Sequence, residues 1–587
     1  MRGPALLKVT ASRLLALLAL VVLIGMMPWF SGRGAEYTIL RARYSDREPT
    51  PEALTAIRTE LGLEQGPIAL FVSWARGVAG GDLGTSWISN TPVGPGIGAA
   101  LGVSVTLMGF AVAMAAIVAL LICCPAVADG LRNRRRPASG ALPAALTSLP
   151  EFLLAAMLLV LGAIWLRWFP PFGWKGPEFA VLPALSLGIP AGGLIGLLVS
   201  DAIRAAFAEK WVATWRMAGA GGARLTGAVL RRALPAALPQ IGLVLIGLTG
   251  GAVAVEKVYS IPGLGRALLG AASAQDVPTL QAGMLALVAL ALLVGTLATA
   301  VRYLLIGPAV RLGTLPLPEP TRAGNRGQLV APAAAGAMLL LIIAAGLLRD
   351  PFGSAHPRLA PPTWSLPFGA DASGRDLLAR VGHGAVGTLG TALAVVLVCL
   401  AVGIAVGLFP LAAAGPLEVT NAAPPILAGL VVAAVTGPSA QGAALAVAAV
   451  SWAPLAAHTA ALAQEARAQP YVKILPVLGV GKARIMFRYI LPAVARPLLR
   501  HAMLRLPGIA LALAALGFLG LGPQQPSPEW GLILAEGIGY VERAPWAVLA
   551  PAGTLVLASV LAVGLAGRGS RKPAACTGSG AGSGPNN

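Results

Sequence analysis

Ionisable side chains are sparse in this sequence, and few are spaced for chemistry. Glu256 and Asp276 flank a glycine-rich turn, Pro262-Gly263-Leu264-Gly265-Arg266, and a second charged cluster gathers Asp371, Arg375 and Asp376 around Gly374. Carboxylates at the edge of apolar stretches either contact a substrate or cap amides and pair with arginines, and the second use is favoured here. The glycines read as sharp turns that let helices approach, and Asp371, Arg375 and Asp376 as capping or pairing groups on a short interfacial helix. A phosphate-binding loop needs Gly-x-x-x-x-Gly-Lys-Ser/Thr, but around Gly481-Lys482 the flanking positions hold Pro476 and Ala483, so this chain is not expected to bind ATP. His383 and His458 read as packing or interfacial residues rather than metal ligands. Cys123, Cys124, Cys399 and Cys576 show neither metal nor disulfide spacing. No hydrolase elbow, zinc helix or paired intramembrane carboxylates emerge.

A different signal occurs twice. Tyr471-Val472-Lys473-Ile474-Leu475-Pro476-Val477-Leu478-Gly479 runs on to Arg488-Tyr489-Ile490-Leu491-Pro492. A glycine between two short mixed segments suits two small helices joined by a turn on the membrane face, a shape that can dock a partner. In the first half Gly222 precedes Leu234-Pro235 by the interval that separates Gly479 from Leu491-Pro492, while the upstream segment Trp211 to Arg216 favours Gly219. Both registers stand at this point.

These loops must be held by elements suited to a bilayer. Of 587 residues 57% are apolar and 11% charged, with a mean hydropathy of +0.78. Continuous Ala-, Leu-, Val- and Gly-rich runs of roughly 20 residues predict spanning helices, whereas a β-barrel would alternate apolar and polar residues over about 10. Six spans are expected near 12–30, 101–123, 143–166, 179–202, 238–257 and 283–305, and six more near 329–348, 386–410, 423–437, 441–463, 499–520 and 546–566. The fold class is therefore all-α and polytopic, with two parallel six-helix repeats. The first half covers 1–306, a proline-rich cytoplasmic linker 307–328, the second half 329–568, and a disordered tail 569–587. The run after Arg2, Lys8 and Arg13 is long and lacks a small-residue cleavage site, so it reads as a retained first span. The net charge of +20 is concentrated beside the spans, in Arg132 to Arg136 and in Arg204 to Arg232. That distribution argues for positive-inside orientation with cytoplasmic termini and against nucleic-acid binding.

The Gly479 loop resembles the cytoplasmic loop of ABC importer permeases, Glu-Ala-Ala, three residues, Gly, nine residues, Ile-x-Leu-Pro. Tyr489 stands where that pattern has Ile, and neither copy keeps the literal Glu-Ala-Ala. Flanking motifs resemble the peptide/nickel (dipeptide and oligopeptide) permease family and divide between its two partner subunits. Glu60-Leu61-Gly62-Leu63-Glu64, Gly81-Asp82-Leu83-Gly84-Thr85-Ser86, Val255-Glu256-Lys257-Val258-Tyr259-Ser260-Ile261-Pro262-Gly263-Leu264-Gly265-Arg266 and Asp276-Val277-Pro278 are similar to the first permease. Phe368-Gly369-Ala370-Asp371 through Gly374-Arg375-Asp376 to Arg380, Phe518-Leu519-Gly520-Leu521-Gly522 and Ser527-Pro528-Glu529-Trp530-Gly531 are similar to the second.

The resemblance implies two fused permease subunits in the cytoplasmic (inner) membrane, surrounding one pathway for peptides or related small solutes, nickel or its chelates included. It implies that separate ABC ATPase subunits bind ATP and grip the loops at Arg216, Gly219, Gly222, Leu234, Pro235, Tyr471, Lys473, Gly479, Leu491 and Pro492. It further implies that an extracytoplasmic solute-binding protein delivers the solute, and that Gly81, Asp82, Gly84, Glu256, Pro262, Gly263, Gly265, Asp371, Gly374, Arg375, Asp376, Trp530 and Gly531 mark the extracytoplasmic side. Membrane lipids surround the chain, and no cofactor resides in it. A polytopic membrane enzyme, which would convert substrate without ATPase subunits, and a structural scaffold, which would support no flux, are the alternatives.

Overall fold

The computed structural model describes residues 3–30, 35–44, 48–134, 150–306, 330–408 and 425–567, with the isolated positions 146, 416, 417 and 420. The expected linker and tail lie outside the described residues. Among the described residues the chain is helical, with only two isolated bridges, Thr85 to Pro92 and Ala370 to Asp376.

The first half runs α1 (Gly3–Gly25), α2 (Pro67–Ala79), α3 (Val93–Leu131), α4 (Glu151–Leu158, continued by a π-helical turn Leu159–Trp165), α5 (Val181–Phe207), α6 (Lys210–Met217), α7 (Gly222–Val258), α8 (Leu264–Ser273) and α9 (Val277–Ile306). The second runs α10 (Val330–Leu347), α11 (Leu377–Gly407), α12 (Pro425–Thr436), α13 (Ala440–Ser451), α14 (Ala453–Ala468), α15 (Pro470–Ile474), α16 (Lys482–Ile485), α17 (Leu491–Leu519), α18 (Trp530–Ile538) and α19 (Trp546–Gly567). Each expected span coincides with an apolar helix; seven are long and apolar enough to cross a membrane and five others are shorter. The fourth span of the second half is broken between α13 and α14, where Pro454, which has no N–H to donate, opens α14. An apolar helix that composition did not single out, α2, packs beside α1.

Direction follows from side-chain register. Gly188, Gly192 and Gly196 form one face of α5, and a Cβ on them would strike Met114, the Ala115 carbonyl and Ile122 of α3 in the same order. Contacts that rise together along both helices mean parallel packing, and the stripe of small residues lets the backbones close. In the second half Gly403 and Gly407 of α11 meet Leu455 and Thr459 of α14 in the same parallel sense. The two repeats therefore share their central pairing, second span against fourth.

The halves touch where α7 and α17 end. Lys257 Nζ donates to the Phe518 carbonyl at 3.0 Å, and Phe152 stacks on Phe518 with centroids 5.3 Å apart. Because the C-terminal ends of α7 and α17 meet, their N-terminal ends, and the loops before them, lie at the other end of the bundle.

Candidate functional sites at the two ends of the bundle

The loop before α7 is anchored by Arg216, whose Nη1 donates to Asn133 Oδ1 at 2.8 Å and whose Nη2 donates to the Gly130 carbonyl. A guanidinium there adds a charged donor at the C-terminal end of α3, where the Gly130 carbonyl also accepts from Asn133 N. Arg467 Nη2 does the same for α11, donating to the Leu408 carbonyl at 3.2 Å. Glu209 accepts from Trp211 Nε1 at 2.7 Å and from Arg232 Nε at 3.1 Å, tying α6 to α7.

The register left open by sequence is resolved by backbone geometry. Gly219 and Gly479 have φ of +72° and +75°, the left-handed region that favours glycine. Each is followed by the same return bond, Ala220 N to the Trp215 carbonyl and Val480 N to the Leu475 carbonyl. Gly222 is the first residue of α7, so it corresponds to Lys482, the first of α16. Leu234-Pro235 consequently sits three residues further along its helix than Leu491-Pro492, which follow a π-helical turn, Met486–Ile490. Leu234 is half-buried and Pro235 buried, Leu491 is half-buried and Pro492 exposed.

Val472, Leu475, Ile485 and Ile490 are buried and hold the second loop to the bundle, while Tyr471, Ile474, Val477, Leu478 and Phe487 point outward. Val477 is 83% exposed, as is Met217 on the first loop, where Trp215 also faces out. Lys473 is exposed beside them. Large apolar side chains gathered on a polar rim mark an interaction surface.

At the opposite end Glu256, Asp276, Asp371 and Asp376 are buried and hydrogen-bonded, while Asp82 is exposed. Asp82 Oδ1 accepts from Gly84 N at 2.8 Å, and Gly81 and Gly84 take φ of +83° and +86°, which turns the chain into the Thr85 to Pro92 bridge. Asp276 grips that bridge, accepting from Ser86 Oγ at 2.6 Å, Trp87 N at 2.9 Å and Thr279 Oγ1 at 2.7 Å. Glu256, wholly buried, accepts from Ser104 Oγ of α3 at 2.6 Å and from Arg266 N at 2.9 Å, with Gly265 N also directed at it. Pro262 leads into Gly263, the N-cap of α8, and a side chain on Gly263 would collide with the Glu256 carboxylate.

Asp371, Arg375 and Asp376 do not lie on a short helix, contrary to expectation. They form a tight loop because Asp371 Oδ1 collects the Ser373 and Arg375 amides, at 2.8 and 2.9 Å, around Gly374 at φ +79°. Asp371 Oδ2 then accepts from Arg375 Nε at 2.7 Å and from Arg380 Nη1 at 2.8 Å, and Glu536 Oε2 lies 2.5 Å from Arg380 Nη1 and 3.3 Å from Arg375 Nη2. Burial by itself would raise the Asp371 carboxyl, but the Arg375 amide and the Arg380 charge outweigh it and hold it below the usual aspartate range. Asp376 caps α11, accepting from Leu378 N at 2.8 Å, and pairs with Arg349 at 2.8 Å.

Glu529, the N-cap of α18, accepts from Leu532 N at 3.0 Å and Thr388 Oγ1 of α11 at 3.3 Å, with the Gly531 amide beside it. Burial dominates these bonds and pushes its carboxyl above the usual glutamate range. Trp530 is fully buried, its Nε1 donating to the Val381 carbonyl at 2.9 Å, and Gly531 packs on the Ala514 backbone. Glu529, Ser104, Thr388, Arg380 and Glu536 were not singled out by sequence reasoning. Glu529 and Arg380 lay inside recognised motifs, whereas Glu536 carried no local signal. Among the described residues no group of three or more His, Cys, Asp or Glu side chains is placed to hold a metal. His458 stacks on His501 with centroids 4.2 Å apart, and His383 Nδ1 lies 3.0 Å from the Ala379 carbonyl.

Comparison with known proteins fits this duplicated architecture. Residues 130–311 and 412–572 each match the family described as the binding-protein-dependent transport system inner membrane component. The di/tripeptide transport system permease protein DppC of Pseudomonas aeruginosa is 39% identical over 227 residues, which is 36% of this chain and 75% of that protein. The dipeptide transport system permease protein DppC of Haemophilus influenzae is 32% identical over 269 residues, 42% of this chain and 89% of that protein. The peptide transport system permease protein SapC of Escherichia coli is 32% identical over 229 residues, 37% and 77% respectively. Most of one permease thus fits within about two-fifths of the present chain, leaving room for a second. With two matched regions in one polypeptide of apolar helices, this multi-pass membrane chain belongs to the binding-protein-dependent transport system inner membrane components, transport permeases rather than enzymes, as two permease units joined in tandem.

Proposed function

We propose that the two units enclose one pathway for peptides or related small solutes, driven by separate ATP-binding subunits that dock on the Gly219 and Gly479 loops and fed by an extracytoplasmic solute-binding protein. The observation that carries the reading is the exposed apolar surface on two loops of like geometry, Trp215 and Met217 on one, Tyr471, Ile474, Val477, Leu478 and Phe487 on the other. Both loops are braced by arginines on the ends of α3 and α11, so force applied there reaches the paired helices. The peptide-transport names of the relatives support the solute class. The loop side is then cytoplasmic, in keeping with its arginines, and the Asp276, Asp371 and Glu529 clusters face the extracytoplasmic side of the inner membrane.

Mass spectrometry of proteins co-purifying with the tagged chain from gently solubilised native membranes tests this. ATP-binding subunits should be recovered, and their recovery should fall when Val477 and Met217 are both changed to Asp. An intact chain that repeatedly brings down no such subunit defeats the reading.

A further inference from the structure

A cavity of about 560 Å3 lies among α10, α11, α17 and α19 of the second unit. Leu339, Leu389, Met503, Pro507 and Leu561 line it, and Arg500 stands at one end as its single charged residue. Its size falls within the range of single-ligand pockets, roughly 300–1,000 Å3. Pro507 helps to make it, because a proline offers no N–H to the carbonyl four residues earlier, that of Met503 on the same wall.

Position restricts the occupant. The apolar stretch of α17 runs from Pro497 to Leu519, starting on the side of the Gly479 loop. Arg500 is three residues inside it, about 4 Å deep, and Pro507 ten residues inside, about 15 Å. A hydrocarbon core is about 30 Å thick, so the cavity reaches from one membrane surface to the midplane, the depth of a single leaflet. Arg500 is exposed and has no acidic partner among the described residues. A cation held at the surface end of a one-leaflet apolar slot complements an anionic headgroup followed by an acyl chain.

We infer that this cavity is a binding site for one acidic glycerophospholipid, with an acyl chain between α10, α17 and α19 and the headgroup on Arg500. The test is native mass spectrometry of the delipidated full chain titrated with phosphatidylglycerol or phosphatidylcholine. One phosphatidylglycerol should bind at least fivefold more tightly than phosphatidylcholine. Arg500→Gln should bring phosphatidylglycerol down to the level of phosphatidylcholine, and Ala558→Trp, which fills the cavity, should remove the site for both. Leu339→Trp replaces Ala558→Trp if the latter is not monodisperse. Unchanged phosphatidylglycerol binding in Arg500→Gln overturns the headgroup assignment, and unchanged binding in the filled variants overturns the site.

Discussion

Glu256 and Glu529 occupy the same crevice in the two units, yet they reach it from opposite walls. Each carboxylate takes a hydroxyl from the second span, Ser104 or Thr388, and amides at the second and third residues of a short helix, Gly265 and Arg266 or Gly531 and Leu532. The preceding helices end alike, with Ile261 N on the Glu256 carbonyl and Leu521 N on the Leu516 carbonyl. Leu516 therefore stands where Glu256 stands, and the second unit supplies its carboxylate from the N-cap instead, with Gly517 leaving it room.

Exchange of the donor wall should be tolerated. Glu529→Gly orphans buried donors, at roughly 1–3 kcal/mol each, and should lower the melting temperature of the detergent-solubilised protein. Adding Leu516→Glu should recover much of that loss. No recovery would mean that the two crevices are not equivalent.

Arg380 carries the second cluster. It is fully buried against Asp371 and Glu536, so Arg380→Met leaves these two carboxylates with Arg375 as their one shared cation and should cost about 3–5 kcal/mol. Arg380→Met combined with Glu536→Leu keeps the Asp371 to Arg375 pair and should be markedly more stable than Arg380→Met alone. Thermal unfolding of the three proteins decides it.

The acids of these clusters should respond to pH in opposite senses. The Asp371 carboxyl is held low, so it stabilises the fold above the usual aspartate range and that contribution disappears as pH falls through its lower folded value. The Glu529 carboxyl is pushed up, so the fold binds its proton more tightly than the unfolded chain does. Stability is then lost as pH rises through the usual glutamate range to the higher folded value. Melting curves across acidic pH should show Asp371→Asn becoming less harmful as pH drops. Glu529→Gln should become less harmful, relative to the parent, as pH rises.

Gly479 has left-handed backbone and open space around its Cα, so a side chain there meets no neighbour but pays about 1–2 kcal/mol in conformation. Gly479→Arg is expected to leave the protein in the membrane at normal level while solute uptake falls at least tenfold. Uptake at the parental rate in cells with equal protein would remove this loop from the coupling role.

The apolar segments were legible because bilayer spans need sustained composition, and the twelve expected stretches each coincide with a helix. What escaped depends on tertiary contact. Whether Gly219 or Gly222 turns the first loop is decided by backbone sign, and spacing to Leu234-Pro235 pointed to the residue that merely starts α7. Asp371, Arg375 and Asp376 read as capping or pairing groups on a short interfacial helix; they do cap and pair, but two amides folding onto the Asp371 carboxylate make their segment a loop. Glu536 pairs across 156 residues with Arg380, a separation at which no local pattern operates.

Lys257 fastens the first unit to the second. Its ammonium rests on the carbonyl end of α17, where a helix carries partial negative charge, and beside it Phe152 and Phe518 share a ring face. Any rearrangement that parts the two units at this end must wet both rings and strand a cation from its acceptor at once. Opening there consequently breaks a polar and an apolar contact that share Phe518.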